Sequence, residues 1–483
     1  MIGVLRDVYE YGAVERLYMG GYWRYTAVAF LAVLYYLGLL PSWGVFLVLL
    51  AGASAHHLLS RNGQESLARL DGAGGSQHRE WAERGASEVQ AASDPWVMAA
   101  PPEEERRPVV VVGAGAAGLA VSACMAARRI PHVVLEARVA VGGPWEDRYE
   151  RLHLHTHKWH THLPYVDFPR AFPLYPSRRQ VIQYLRSYAE ILGLPVRCST
   201  PVEALRRDGD TWVVQPAGLA KPIRARHVCI ATGLNDADRP HIPTFPGEET
   251  FEGEILHSRD FGAGARYAGR RVLVIGFGNS GMEISVDLVE SRAQTVDVCV
   301  RRSGVQIMDR DAIPGWGISG MSVMLALGLH YLPLSVQEKL AALVDPKVGH
   351  LSRDEKRPVF LNVKHGMPPV LDVGCLPLMR EGKIGVRPGV ECVTATGVRF
   401  TNGEEYPYDV IVKATGWQKD GWKTLLPAEM KDAFDDPGWP TPDQASARKH
   451  SLSFIGFQDG YGAWREFGKQ AWELASQLQR EFK

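Results

Sequence analysis

Charge of either sign is not in excess in this chain of 483 residues: Lys plus Arg number 54 and Asp plus Glu number 54. A nucleic-acid-binding surface needs a basic surplus on some face, and the balance gives that reading no support. Cysteine is scarce and scattered. Cys124, Cys198, Cys229, Cys299, Cys375 and Cys392 include no C-x-x-C pair. A disulfide framework, a zinc ribbon and a redox dithiol at that spacing are therefore unsupported, and the pattern suits a reducing compartment. No repeat at solenoid period stands out, and Pro, Ser and Gln do not dominate. What remains is a globular composition, 46% hydrophobic and 22% charged, in a chain long enough for two or three domains.

One long apolar run is present. No charged residue occurs from Thr26 to Ala55, and Tyr22, Trp23, Arg24 and Tyr25 stand at its entry as an interfacial anchor would. The run exceeds the 20 or so residues of a single span and is broken at Pro41 and Ser42. It reads as one tilted, kinked span or as two helical halves dipping into a leaflet, with a buried core helix or a signal peptide as the competing readings. The expectation is an N-terminal membrane-associated helical segment over 1–60, with its partner the lipid and the catalytic part facing the cytosol, the endoplasmic reticulum being one such membrane. Residues 61–107 are rich in Gly, Ala, Ser and charge without a hydrophobic period, as a linker is. The folded catalytic body begins near Pro108.

From Pro108 the chain reads as a buried strand, a tight turn and a helix. Val109 to Val112 form a continuous apolar run, the pattern of a central parallel strand covered on both faces. Gly113, Ala114, Gly115, Ala117 and Gly118 then supply G-x-G-x-x-G, which brings backbone close to a pyrophosphate at a helix N-terminus. A second strand ends at Glu136, at the distance where an acid holds a ribose hydroxyl pair. Gly142, Gly143 and Trp145 follow, and a glycine pair with a Trp soon after the ribose acid resembles flavoprotein monooxygenases, favouring FAD at this site.

The logic recurs at Val272–Ile275, followed by Gly276, Gly278, Asn279, Ser280 and Gly281. The next strand ends at Val300 and leads into Arg301 and Arg302 rather than an acid. Arginine there suits the 2′-phosphate of NADPH, with a solvated strand end as the bland alternative. Two such motifs imply two dinucleotides and hydride transfer from one to the other.

Between the motifs, Phe251, Gly253, His257 and Phe261 make F-x-G-x-x-x-H-x-x-x-F. This fingerprint, the two glycine motifs and two A-T-G segments (Ala231–Gly233 and Ala414–Gly416) resemble the flavin-containing monooxygenase superfamily, and most of all its YUCCA-type branch. The likeness runs from about residue 108 to 475 and includes YERLHLHTHKW, LYPSRRQVIQYLRSYA, PPVLDVGCL and IGVRPGVE. The chain departs from that branch in its apolar N-terminus, its long linker, and Thr156-His157 where Leu-Pro is usual.

The resemblance implies an α/β fold of two Rossmann-like dinucleotide-binding domains. FAD parts at 108–239 and 405–483 enclose an NADPH domain at 240–404. It also implies that NADPH reduces FAD, that O₂ reacts with the reduced flavin, and that one oxygen passes to a small molecule, indole-3-pyruvate being the first candidate. A Baeyer–Villiger or N/S-oxygenating reaction, and a membrane reductase without oxygen insertion, are the alternatives. His155 and Lys158 are expected beside the flavin, Asn279 and Ser280 near the nicotinamide phosphates, and His257 as either an acid–base group or a packing residue.

Of the five histidines His153, His155, His157, His160 and His162, the first three alternate as strand-borne metal ligands would, but the expectation is no metal, because this segment runs beside the flavin in relatives. Met321–Leu332 is apolar but too short for a span, and 463–482 reads as an amphipathic helix closing the FAD domain.

Overall fold

The computed structural model describes residues 105–156, 158–218, 221–233, 239–300, 306–309, 349–350, 370–434, 444–457 and 463–482. The N-terminal segment, the linker as far as residue 104, Arg301, Arg302, His157 and Met321–Leu332 lie outside them. Among the described residues no helix is long and apolar enough to cross a membrane.

The described residues build two main sheets, the first mixed and the second parallel. Strand β1 (Glu105–Val112) leads into α1 (Ala116–Ala127) and β2 (His132–Leu135). After the short α2 (Lys158–Thr161) come α3 (Arg178–Ile191), β3 (Val196–Arg197), β4 (Val202–Asp208), β5 (Thr211–Pro216) and β6 (Ile223–Ile230). The first sheet has the order β3-β2-β1-β6-β5-β4, parallel from β3 to β6 and antiparallel beyond. Its central strand is covered on both faces, as the unbroken valine run requires. Val109 and Val111 face α1 and α3, while Val110 and Val112 join Trp212, Trp422 and Phe454 on the other side. Helix α3 starts in a full capping box: the Ser177 hydroxyl accepts from Gln180 N, and the Gln180 side chain returns to Ser177 N.

The second sheet repeats the plan. It uses β7 (Glu254–His257), β8 (Arg271–Ile275), α4 (Asn279–Glu290) and β9 (Thr295–Cys299). Then follow β10 (Gln306–Asp309), β11 (Gly349–His350), β12 (Val370–Asp372), α5 (Cys375–Arg380) and β13 (Gly385–Arg387). An antiparallel trio, β14 (Val390–Thr394), β15 (Gly397–Phe400) and β16 (Glu405–Pro407), precedes β17 (Val410–Lys413). The sheet order is β13-β9-β8-β17-β7, all parallel. Again alternate residues serve opposite faces: Val272 and Val274 face α4, and Leu273 and Ile275 face the antiparallel trio.

The return to the first sheet falls later than the sequence suggests. Strand β17 sits between β8 and β7, so the second unit runs through Lys413 and not to 404. The hydrophobic run Val410–Val412 reads equally well in either sheet. By Trp422 the chain is back in the first core, and α6 (Gln444–Lys449) brings β18 (Leu452–Phe454) alongside β6. Helix α7 (Ala463–Glu481) then packs Ala471, Leu474, Ala475 and Leu478 against the α1 side of the core.

Candidate functional site

The two glycine turns are near copies of one another. Gly113 (φ +103°) donates its N–H to Leu135 O, and Gly276 (φ +105°) donates to Cys299 O. Only glycine takes that backbone conformation at low cost. Over each first glycine lies the alanine of an A-T-G segment. Ala231 N donates to Val112 O and Ala414 N to Ile275 O, both at 2.8 Å. A Cβ added to Gly118 would come within 1.8 Å of Gly113 O, and one on Gly281 within 2.0 Å of Gly276 O. A Cβ on Gly115 or Gly278 would meet nothing within 4 Å. These two positions, at the start of α1 and α4, therefore leave the open seat that a pyrophosphate takes at a helix N-terminus.

The two sites differ where the second strand ends. In the first, Glu136 N donates to Arg197 O. Its buried carboxylate accepts from Ala114 N at 2.6 Å and from Arg138 N at 2.9 Å, and the remaining lone pairs can take ribose hydroxyls. In the second, Val300 N donates to Arg387 O in the matching place. Val300 stands where the first site has Glu136, and Arg301 and Arg302 come next in the chain.

Gly143 lies on the first turn: a Cβ built on it would be 3.3 Å from Gly115 Cα. Trp145 next to it meets Trp464 edge to face at 6.3 Å. Arg178 ties this segment to α3 by donating to Glu146 O at 2.8 Å and Trp145 O at 3.4 Å. Ala117 lies beneath Gly456, whose added Cβ would be 2.7 Å away.

From this segment the chain crosses to α4. Glu283, 1% exposed, is the meeting point. Tyr149 Oη donates to it at 2.9 Å, His153 N at 3.3 Å, and His155 Nε2 stands 3.1 Å from its Oε2. Burial alone would push this carboxyl up. The hydrogen bonds from His153 and His155, the His155 charge and the Tyr149 hydroxyl together outweigh it and bring the pKa down to about 2. The ionised carboxylate is an acceptor for an N–H at His155 Nε2 and so favours a ring orientation that places a proton there.

The other sequence candidates are held in different surroundings. Lys158 is buried, and its ammonium donates to the carbonyls of Pro169, Arg170 and Phe172. Burial pushes its pKa below the ordinary lysine value. This is a clamp on the 169–172 loop, with all three donors committed, and not a group presented to a flavin. Lys158→Met should cost on the order of 3 kcal/mol in urea unfolding, since three carbonyls lose a charged donor. An unchanged unfolding midpoint would remove the clamp.

His257 accepts from Arg259 N through Nδ1 at 3.1 Å and sits 3.1 Å from Gly416 O through Nε2. Burial lowers its pKa. With both nitrogens taken, the fingerprint histidine fastens β7 beneath the second A-T-G turn. Asn279 Oδ1 accepts from Leu371 N at 2.9 Å, so the first residue of α4 holds β12.

Sequence reasoning missed Glu283, Tyr149 and Arg148. The signal for Glu283 was an acid within the apolar stretch Met282–Val286 of a helix, where it needs partners, together with the histidine-rich run that supplies them. Among the described residues no group of His, Cys, Asp or Glu side chains is arranged to hold a metal ion. All six cysteines are free, and burial pushes the Cys124 thiol up to about 11, with Arg128 and Tyr165 opposing. Such burial disfavours the reactive thiolate at Cys124.

Comparison with known proteins agrees with this geometry. A family model described as pyridine nucleotide-disulphide oxidoreductase matches residues 110–315. Indole-3-pyruvate monooxygenase YUCCA1 of Oryza sativa subsp. japonica is 37% identical over 333 residues, 67% of this chain and 79% of that protein. Probable indole-3-pyruvate monooxygenase YUCCA1 of Arabidopsis thaliana is 35% identical over 342 residues, 68% and 79% of the two chains. Among solved structures, a flavin-containing monooxygenase from Stenotrophomonas maltophilia superposes with a TM-score of 0.56 at 22% identity, covering 78% of this chain and all of that one. Open cyclohexanone monooxygenase gives 0.57 at 18% identity, covering 78% and 88%. The paired dinucleotide turns and these relatives place the chain in the flavin-dependent monooxygenase family, in its YUCCA-type branch, as an oxidoreductase that uses FAD and NADPH.

Proposed function

We propose that the chain catalyses the NADPH- and O₂-dependent oxidative decarboxylation of an aromatic 2-oxo acid, indole-3-pyruvate being the first to test. The observation that carries this reading is the 37% identity to a protein of that named activity. The bound flavin would supply the reduction by NADPH and the reaction with O₂. The protein's own part is positional. The N-termini of α1 and α4 would receive the two pyrophosphates, Glu136 the FAD ribose, and Arg301 and Arg302 the 2′-phosphate. Glu283 would hold Tyr149 and His155 between the two cofactors and orient the His155 ring. Trp145 and Trp464 would close the flavin side against water.

The test is turnover of FAD-loaded protein under ¹⁸O₂ with NADPH and indole-3-pyruvate. The expected result is indole-3-acetate carrying one labelled oxygen, with CO₂ formed in equal amount and NADPH used well ahead of NADH. Label in an oxidised amine or sulfide instead, with the 2-oxo acid untouched, would keep the monooxygenase and replace the substrate. NADPH consumption with no label in any product would discard this reading for that of a reductase.

The apolar N-terminal run supports a second part of the proposal: residues 1–60 anchor a cytosol-facing catalytic body to a membrane. Carbonate-washed membranes should keep the full chain and release a chain that starts near residue 105. Release of both would overturn the anchor.

A further inference from the structure

Arg148, just before Tyr149, carries a half-buried charge that makes no hydrogen bond or ion pair among the described residues. Its guanidinium carbon lies 3.9 Å from the ring centroid of Trp417, the residue that follows the second A-T-G segment. Trp417 is backed edge-on by His257 at 5.1 Å. The acid beside Arg148 is spent, since Asp147 pairs with Arg138. The next residue, Tyr149, is bonded to Glu283, and His257 has both nitrogens engaged. Among the described residues the guanidinium has no hydrogen bond and no ion pair beyond its stacking on Trp417. Burial, only partly offset by the nearby Tyr149 and Asp147, pushes its pKa down to about 10.

A guanidinium carries five donors in one plane, and leaving them without acceptors at a half-buried position is costly. Laid flat on an indole, it keeps its donor edge free for a planar, two-oxygen acceptor. Space is available: Gly416, with φ +86°, has nothing within 4 Å of where a Cβ would stand. The cation lies past the C-terminal ends of β7 and β17, on the other side of β8 from β9. In a doubly wound sheet this is the nicotinamide side of the switch point, away from the second-strand end where an adenosine ribose is held. The pyrophosphates are already provided for at Gly115 and Gly278. The anion still lacking a partner is that of the third molecule in the site.

We propose that Arg148, stacked on Trp417, is the receptor for the carboxylate of the substrate. The inference rests on the proposed use of a 2-oxo acid for the source of the carboxylate. The unmatched cation itself does not depend on that reading. A cofactor phosphate is the other source of the same chemistry.

Binding, not turnover, tests it. Oxidised, FAD-loaded protein is titrated with indole-3-acetate and with the neutral indole-3-acetamide, following the flavin spectrum, and separately with NADP⁺. Wild type should prefer the acid, and Arg148→Gln should weaken the acid by about 10- to 100-fold while leaving the amide and NADP⁺ unchanged, the loss expected for one desolvated charge-assisted pair. Arg148→Lys should fall between, because it keeps the charge and loses the fork. FAD content and circular dichroism of both variants report whether they fold, and the lysine variant carries the test if the glutamine one does not. Equal weakening of acid and amide, no preference in wild type, or a loss confined to NADP⁺ would each overturn the carboxylate assignment, the last giving Arg148 to the phosphate. A wild-type enzyme that prefers the acid through Arg148 yet decarboxylates no 2-oxo acid would keep the receptor and discard the proposed reaction.

Discussion

Gly115→Ala should give a folded protein that has lost its yellow colour, and Gly278→Ala a folded yellow protein that NADPH can barely reduce. Both glycines have backbone angles that alanine accepts, with φ −75° and ψ −174° at Gly115, and φ −90° and ψ −174° at Gly278. Neither added methyl meets protein within 4 Å. Each therefore enters only the seat of a pyrophosphate. Overpacking by one methyl costs about 1–3 kcal/mol, which is roughly ten- to a hundredfold in affinity for the cofactor concerned. FAD content after gel filtration checks the first variant. The concentration dependence of flavin reduction checks the second, with dithionite as the control that its flavin is still reducible. The neighbouring positions must behave otherwise. Gly118→Ala and Gly281→Ala place a methyl within 1.8 and 2.0 Å of a backbone carbonyl, so they should fail to fold rather than lose one cofactor. Full FAD in Gly115→Ala, or wild-type NADPH dependence in Gly278→Ala, would dismiss the matching seat.

That asymmetry between 115 and 118 shows which features were legible in the chain before the fold was known. The glycine spacing, the valine run on both faces of β1 and the acid at Glu136 follow from local geometry, and local geometry is what a sequence displays. Strand β17 was not legible in this way. Its order between β8 and β7 is a long-range pairing, and an apolar tetrapeptide fits the centre of either sheet equally well. Lys158 and His257 sit in segments with the right motif, but their roles depend on what faces them across the fold. Lys158 faces three carbonyls, and His257 a turn from the far side of the second unit. Arg148 and Trp417 are 269 positions apart in the chain, and no periodicity joins them.

Glu283 is where this long-range part of the site can be weighed. It couples residues 149–155, which border the first dinucleotide turn, to α4, which opens at the second. Glu283→Gln keeps the shape and removes the charge, leaving His153 and His155 facing a weaker acceptor in a dry place. The carboxyl is ionised in the folded protein down to about pH 2, whereas in the unfolded chain it takes its proton near its ordinary value of 4.5. A depressed folded pKa contributes stability that is full above the unfolded value and is lost as pH falls through the folded one. The wild type should therefore exceed the glutamine variant by on the order of 3 kcal/mol at pH 6, and the difference should shrink as pH drops from 4.5 toward 2. Urea unfolding of both proteins at pH 6, 4 and 3 measures it. A gap that stays constant across that range would mean the charge is not what stabilises the contact. At pH 7 the glutamine variant should also spend NADPH without matching product, because the His155 ring loses the charged acceptor that orients it. Unchanged coupling of NADPH to product, beside a clear loss of stability, would confine Glu283 to holding the two units together.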